Sequence, residues 1–135
     1  MPSAWGRRIA EIRLEREANA GGPIVRGFSG RGFRLDGDAV IEALLMTIDR
    51  ADAWSPPPLA ALTIDALATL IDAGPEFIVI GTGRALVRPP VALVRAIEDR
   101  GIGVEAMDSR AAARAWGVLR GEGRIIAAAL YPLHA

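Results

Sequence analysis

The chain has 135 residues, 51% of them hydrophobic, and its sixteen basic and sixteen acidic side chains give a formal net charge of zero. The length and hydrophobic content favour one folded domain and argue against a disordered chain. The balanced charge argues against a typical nucleic-acid-binding protein. It has no cysteine and no lysine, which excludes disulfides, thiolate chemistry, Schiff bases and a phosphate-binding P-loop. Its single histidine, His134, lies beside the last residue and is a poor basis for a catalytic triad or metal site, so we predict no metal and no cofactor.

Residues 1–22 form a charged leader that ends in two glycines. Trp5, Ile9 and Ile12 are spaced as on one face of a helix, so the leader is interpreted either as a short amphipathic helix or as a disordered or loosely docked segment. Its charges interrupt every apolar stretch, and the longest apolar run of the chain, Ile125–Tyr131, is too short to cross a bilayer. We therefore predict a soluble, cytoplasmic protein with no transmembrane segment.

The region after the leader has the period-two pattern of β-strands. Two strands, Ile24–Phe28 and Gly32–Asp36, flank a glycine-containing turn and are expected to form a hairpin. A second turn at Asp36–Asp38 leads into a longer predicted strand, Ala39–Ile48, which completes an antiparallel meander. The proline run Ser55–Pro58 ends this region, because consecutive prolines join neither a helix nor a sheet ladder.

After the prolines the apolar period changes to 3.6, which predicts three helices. Thr63 is expected to cap the first helix, Pro90 begins the second, and either Asp108 or Ser109 caps the third. The side chains predicted to face the core are Ile64, Leu67, Ala68 and Ile71 in the first helix, Val91, Val94 and Ile97 in the second, and Ala112, Ala115, Trp116 and Leu119 in the third.

Three strands are predicted in the same half of the chain: Phe77–Ile80, Ile102–Met107 and Arg124–Tyr131. One helix connects the first two, so we expect them to be parallel, with a right-handed crossover and with their carboxyl ends side by side. The direction of the last strand is left open. Alternating helices and strands predict an α/β fold in which residues 23–135 form one domain.

Several short motifs occur in one order and together carry a resemblance to a known family. They are Phe33–Gly37, Trp54, Leu62–Thr63, Ile80–Arg84, Gly101–Asp108, Glu122–Arg124 and Ala127–Leu130. As a set they resemble the Mth-like domain family over about residues 23–133. The resemblance implies a three-layer α/β fold, with a central mixed sheet, helices on both faces and an N-terminal β-hairpin at its edge. It also implies a role in protein contacts during membrane-complex assembly, since one eukaryotic member assists respiratory complex I; no catalytic residues are established for the family.

The strand exits suggest one candidate ligand site. Backbone amides in the turn after the first parallel strand, together with an arginine, suit a carboxylate or phosphate group, and the start of the third helix adds a favourable dipole. Under this hypothesis the ligand-binding residues are Gly81, Thr82, Gly83, Arg84, Asp108 and Ser109. In the alternative interpretation the glycines only form a tight strand exit, and Arg84 pairs with Asp108 or a carbonyl.

Trp54 and the neighbouring Pro56 and Pro57 form a candidate partner-binding segment, because exposed tryptophans often anchor interfaces and a proline segment is already ordered. A tryptophan tucked in to anchor its own loop is the alternative. Our preferred hypothesis is a small non-enzymatic interaction or assembly module with protein partners, possessing too few aromatic residues to bind nucleic acid. The other hypothesis is a small protein or enzyme that binds an anionic ligand at the strand exits.

Three further residues are interpreted without a functional role. Glu105 is expected to be a solvated or ion-paired strand residue, Trp116 a core residue, and His134 a solvated terminal residue.

Overall fold

A computed structural model describes residues 22–37 and 39–135. The predictions for the leader therefore lie outside the described residues, except at Gly22, and Asp38 of the second predicted turn lies outside them as well. Within the described residues, none of the helices is long and apolar enough to span a bilayer.

The N-terminal part forms a three-stranded antiparallel sheet. Ser29 pairs with Gly32, so Gly30 and Arg31 make the turn of the first hairpin, and Gly30 has the positive φ of 57° that glycine adopts without strain. The predicted hairpin is confirmed. In order across this sheet, the strands are β1 (Gly27–Ser29), β2 (Gly32–Arg34) and β3 (Val40–Ile41).

A second, five-stranded mixed sheet forms the centre of the molecule. Its strands are β4 (Leu44–Met46), β5 (Ala51–Ala53), β6 (Phe77–Gly81), β7 (Gly103–Met107) and β8 (Ala127–Leu130), in the spatial order β5-β4-β8-β6-β7. Strand β6 is parallel to both β7 and β8, as expected for β7, whereas β4 is antiparallel to β8 and to β5. The direction of the last strand, open at the level of sequence, is thus parallel to β6.

Three helices connect and cover these strands: α1 (Ala68–Asp72), α2 (Val91–Glu98) and α3 (Ser109–Gly121). Two short 3₁₀ turns, Leu59–Ala61 and Ile64–Leu67, precede α1. Gly74 and Gly101 follow α1 and α2 with φ values of 64° and 78°, which lets the chain leave each helix without steric strain.

The central sheet has an apolar core on each face, because successive side chains of its strands point to opposite sides. Val79 of β6 packs in one core with Phe33 and Trp116, beneath α3 and the three-stranded sheet. Ile78 and Ile80 pack in the other core, beneath α1 and α2. The predicted α/β class, with a central mixed sheet covered on both faces, is confirmed.

The predicted strand Ala39–Ile48 is wrong as a single element. It is divided into β3 and β4, which belong to different sheets, and the break lies at Glu42 and Ala43. The carbonyl of Ala43 accepts from the backbone amide of Trp54, at 3.2 Å, which extends the pairing of β4 with β5, whereas β3 pairs with β2. The alternating pattern predicts extended backbone on both sides of this bend, but it carries no information about which partner strand each half will pair with. Strand β5 was not predicted.

The first predicted helix differs in its start and in its buried face. Residues 64–67 form a 3₁₀ turn, and the side chain of Thr63 makes no capping hydrogen bond. A 3₁₀ turn advances by three residues per turn instead of 3.6, which rotates the following residues, so Leu70 is buried while Ala68 is exposed. In α2 the buried positions are Leu93 and Ile97.

Val91 was predicted to face the core but is 66% exposed. It is the first residue of α2, directly after Pro90, and lies beyond the part of the helix that packs on the sheet.

An ion pair at the start of β6 gives a pH-dependent prediction. The carboxylate of Glu76 accepts hydrogen bonds from the Arg124 guanidinium, at 3.0 Å, and from the Ile125 amide, at 3.1 Å. These hydrogen bonds lower the pKa of Glu76 from its ordinary value of 4.5. Since the folded-state pKa is the lower one, the stabilisation is present above the unfolded-state pKa and is lost as the pH falls through the folded-state pKa.

We therefore expect Glu76→Gln to lower the melting temperature slightly at pH 7, and this difference from the wild type to vanish in acid below the folded-state pKa. Thermal unfolding followed by circular dichroism across this range measures the effect. Glu98→Gln is the matched control, because Glu98 is exposed on α2 and forms no ion pair with a described residue. An effect of Glu76→Gln that is unchanged in acid would contradict the assignment.

Candidate functional site

The carboxyl ends of β6, β7 and β8 lie side by side at one edge of the central sheet, which we call the carboxyl rim. Gly81, the last residue of β6, is in register with Met107 of β7 and with Leu130 of β8. The loop after β6, the start of α3 and the C-terminal segment 131–135 all meet here. In open α/β sheets, ligands commonly bind outside this edge.

Ser109 connects the three segments that meet at the rim. Its hydroxyl donates to the carbonyl of Tyr131, at 2.7 Å, and accepts from the amide of Gly83, at 2.8 Å. Its own amide donates to the carbonyl of Gly83, also at 2.8 Å. The residue is fully buried, so these bonds form without competition from solvent.

Thr82 also holds the loop after β6, through hydrogen bonds of its amide and its hydroxyl. Its amide donates to the carbonyl of Met107 at 2.8 Å, and its hydroxyl donates to the carbonyl of Ala85 at 2.7 Å. The hydroxyl also accepts from the amide of Val87, at 3.0 Å. The amides of Thr82 and Gly83 are therefore occupied by internal hydrogen bonds and do not point at an open binding surface.

The glycines of this loop are required by close packing. A Cβ atom on Gly81 would lie 2.9 Å from both the Leu130 Cδ2 atom and the Ser109 hydroxyl oxygen. Gly83 has a φ of 103°, and a Cβ there would lie 2.5 Å from the carbonyl oxygen of Ala135. Close approach and backbone conformation account for both residues.

Asp108 is the N-cap of α3, which resolves the alternative left open between it and Ser109. Its side-chain oxygen accepts from the amide of Ala111, at 2.9 Å. Ser109 is the first helical residue, and its hydroxyl faces the rim. The carboxylate of Asp108 thus already satisfies one of the free amides at the helix start.

Arg84 is the one exposed residue among the six predicted ligand residues, and its guanidinium forms no ion pair with a described residue. Its guanidinium donates to the carbonyl of His134, at 3.3 Å, and its amide donates to the carbonyl of Ala135, at 3.0 Å. It lines a cavity of about 250 Å³ together with Arg31 and Arg110, two residues that the sequence reasoning did not select. The structure therefore brings all six predicted residues together. The amides of Thr82 and Gly83 and the hydroxyls of Thr82 and Ser109 form hydrogen bonds within the protein, and Arg84 lines the cavity.

Trp54 is half-buried and tied to the sheet. Its indole N–H donates to the carbonyl of Leu130, at 3.4 Å, and its ring packs edge-to-face on Tyr131 with ring centres 5.6 Å apart. The Tyr131 hydroxyl donates to the carbonyl of Pro57, at 2.7 Å, and burial raises the pKa of Tyr131 to about 12. The loop is therefore held rigidly, and one part of the Trp54 ring system stays accessible.

A groove of about 450 Å³ lies next to this loop. One wall comes from β3 and the bend after it, including Val40 and Ile41, and the other comes from Trp54 and Pro56, with Pro132 at one end. The structure thus places the N-terminal sheet and the proline loop on one surface, which we call the Trp54 groove. Pro57 does not line this groove; its carbonyl holds Tyr131.

The three residues to which the sequence analysis gave no functional role are either exposed or buried in the core. Glu105 is exposed on the edge strand β7, Trp116 is fully buried, and His134 is exposed. Across residues 22–37 and 39–135, no group of three histidine, cysteine, aspartate or glutamate side chains could hold a metal ion.

Comparison with models of known protein families identifies the family of this chain. The model of a family described as a protein of unknown function (DUF498/DUF598) matches residues 25–131, most of the chain. The chain belongs to the DUF498/DUF598 family. A zebrafish (Danio rerio) relative, 28% identical over 93% of this chain and 73% of its own length, is named NADH dehydrogenase [ubiquinone] 1 alpha subcomplex assembly factor 3. The chain spans between 60% and 73% of the length of the vertebrate assembly factors of that name that it matches.

Solved structures of bacterial relatives have the same fold. A crystal structure of a Bordetella parapertussis protein is 30% identical, with a TM-score of 0.72, over 82% of this chain and 95% of the other. A solution structure from Bordetella pertussis, described as a Mth938-like domain, is 24% identical with a TM-score of 0.71, over 83% and 87% of the two chains, and supports the fold alone. The resemblance to the Mth-like family is confirmed.

Proposed function

We propose that the protein is a non-enzymatic interaction module that works in the cytoplasm and aids the assembly of a membrane-bound respiratory complex. The relatives named as NADH dehydrogenase assembly factors support the general role and suggest the complex. The Trp54 groove is the observation that carries the proposed mode of action, since it offers an accessible surface of mixed character on a rigid framework, with apolar side chains beside the charged Glu42 and the polar Ser55.

The walls of the Trp54 groove have the composition of a protein-binding surface. Val40 is 45% exposed, although it is a large apolar side chain, and it faces the same groove as Trp54 and Pro56. Tryptophan is enriched among residues that dominate binding energy, and a rigid loop loses little conformational entropy on binding. A partner segment seated between β3 and the proline loop would cover all three residues.

The rim chemistry supports a binding role over a catalytic one. A nucleophile or general base has to reach a substrate with a free lone pair or proton. The hydroxyls of Thr82 and Ser109 are both engaged by backbone groups and are 5% and 0% exposed. The alternative hypothesis is an anion-binding protein or enzyme that uses Gly81–Arg84 and Asp108–Ser109. It stays a prediction, and the exposed charge of Arg84 is the feature that favours it.

A groove variant tests this proposal. Val40→Glu replaces an exposed apolar side chain of the groove with a second acidic one beside Glu42, without removing a core side chain. We expect it to weaken partner binding by at least about tenfold, equivalent to roughly 1.4 kcal/mol. Cells lacking the protein are expected to contain less assembled respiratory NADH dehydrogenase on native gels. Wild-type protein should restore the complex, whereas Val40→Glu should not.

Val91→Glu is the matched control, because Val91 is also an exposed valine but lies on α2, outside the groove lining. It should restore the complex as well as the wild type does. Full rescue by Val40→Glu would remove the groove from the proposal, and a normal level of the complex in cells lacking the protein would overturn the assembly role.

A further inference from the structure

A cavity lined by three arginines lies beside the carboxyl rim, next to Leu133 and His134 of the C-terminal segment. Its volume is about 250 Å³, and its walls include Arg31 from the β1–β2 turn, Arg84 from the loop after β6 and Arg110 from the first turn of α3. Glycines at positions 30 and 83 form part of the wall, and none of the lining residues is acidic.

We propose that this arginine cavity is a binding site for a single oxyanion, a carboxylate or a phosphate group. Guanidinium groups present planar, paired donors that match the two oxygens of such a group, and they keep their charge at any physiological pH. Three arginines from separate parts of the chain line this one small cavity, so an anion bound there would be close to several positive charges.

Within residues 22–37 and 39–135, no ion pair reaches the three guanidinium groups. The ion pairs in the described part of the chain join Arg26 to Asp36, Arg50 to Asp52 and Arg124 to Glu76. None of them involves the arginines of the cavity. The nearest acidic residue in sequence, Asp108, does not line the cavity and uses its side-chain oxygen to cap α3.

Two of the three side chains are held in position by the fold. Arg84 is fixed at its backbone and at its guanidinium by carbonyl oxygens of the C-terminal segment. Arg110 stacks on Phe28, with its guanidinium carbon 4.9 Å from the ring centre, so its orientation is set by β1. Arg31 makes no side-chain hydrogen bond or ion pair with a described residue and is free to close on a ligand.

The surroundings strengthen the positive potential, although the chain as a whole is neutral. Residues 22–36 contain three arginines and one acidic residue, Asp36, which pairs with Arg26. Residues 108–122 contain three more arginines and two acidic residues, Asp108 and Glu122. The two segments are in contact, since Arg110 and Arg114 both lie over Phe28. The excess of arginines over acidic residues in these segments attracts anions and raises their local concentration.

The cavity volume indicates the size of the ligand. Clefts that hold drug-sized or cofactor-sized molecules usually have roughly 300–1,000 Å³, whereas this cavity has about 250 Å³. It is large enough for one phosphate ion or one carboxylate side chain. The two sources share their chemistry and differ in whether the group is free in solution or part of a protein.

The experiment is a titration of the ¹⁵N-labelled protein followed by NMR, with sodium phosphate in one arm and a capped tetraglutamate peptide in the other, each at constant ionic strength set with sodium chloride. We expect saturable shifts of the amides of Gly30, Gly83 and Arg110 in at least one arm. A response to phosphate alone identifies a free ion as the ligand, and a response to the peptide identifies a protein carboxylate.

Arg31→Gln is the decisive variant, because its side chain supports no described contact and its loss should leave the fold intact. It should weaken the responding ligand by at least about tenfold, as expected for the loss of one charge-assisted pair. Arg95→Gln, at an exposed position of α2 outside the cavity, should titrate like the wild type. The absence of saturable shifts in both arms, or equal affinities for the two variants, would overturn the proposal.

Discussion

Replacing Trp116 with alanine is expected to lower the free energy of unfolding by about 3–5 kcal/mol, the usual cost of removing a large buried aromatic side chain. Trp116 is fully buried in the core between α3 and the central sheet, where it packs with Phe33 and Val79. Its indole N–H also donates to the carbonyl of Pro23, at 2.8 Å, which ties the start of the described chain to α3. A typical domain has only about 5–15 kcal/mol of total stability, so this variant should be close to unfolding at physiological temperature.

Chemical denaturation with urea measures this loss of stability. The Trp116→Phe variant separates the contribution of apolar packing from that of the hydrogen bond to Pro23. Phenylalanine keeps most of the apolar contacts but leaves the Pro23 carbonyl without its donor, so its cost should be smaller, about 1–3 kcal/mol. If both variants were equally stable, packing of the indole would not be the main source of stability at this position.

Ser109→Ala is expected to cost about 2–4 kcal/mol, although it removes a single oxygen atom. The hydroxyl bonds to the amide of Gly83 and to the carbonyl of Tyr131, and both of these groups are buried. Each buried backbone group that loses its partner costs about 1–3 kcal/mol, because no water replaces the missing bond. The loop after β6 would also lose one of its links to the C-terminal segment, although the two hydrogen bonds of Arg84 to His134 and Ala135 would remain.

Asp108→Ala provides the comparison for this second prediction, one residue away in the same helix start. It removes one capping hydrogen bond at a partly buried position, and loss of an N-cap usually costs about 1 kcal/mol. Urea denaturation of both variants should rank Ser109→Ala as the more damaging. The reverse order would mean that solvent enters the rim and satisfies the freed groups.

The Trp54 groove and the arginine cavity both border the C-terminal segment. Pro132 borders the Trp54 groove, and Leu133 and His134 border the arginine cavity. The groove offers apolar surface and the cavity offers positive charge. The two proposals can nevertheless fail independently, because Val40→Glu changes only the first and Arg31→Gln changes only the second.

Local patterns were sufficient for the elements whose signals are short-range. The first hairpin was predictable because a glycine-containing turn separates two alternating segments. The parallel pairing of β6 with β7 was predictable because one helix connects two apolar strands, and such crossovers have a fixed hand. The N-cap of α3 was narrowed to two adjacent residues by their side-chain chemistry alone.

Other features depended on contacts between distant parts of the chain. The division of residues 39–48 between two sheets depends on which strands lie nearby, and so does the insertion of β8 between β4 and β6. The arginine cavity could not be predicted, because Arg31, Arg84 and Arg110 come from three separate elements and each one alone resembles an ordinary surface residue.

By itself, the sequence determined the fold class, the family and the side-chain chemistries available, because composition, periodicity and ordered motifs are properties of the chain. Only the tertiary structure decided how the candidate residues at the carboxyl rim are used. Whether the hydroxyl of Ser109 or the amide of Gly83 is free for a ligand depends on which backbone groups are brought within hydrogen-bonding distance. Here those groups come from Tyr131 and Ser109, residues that are more than twenty positions from their partners and meet only when the sheet is assembled.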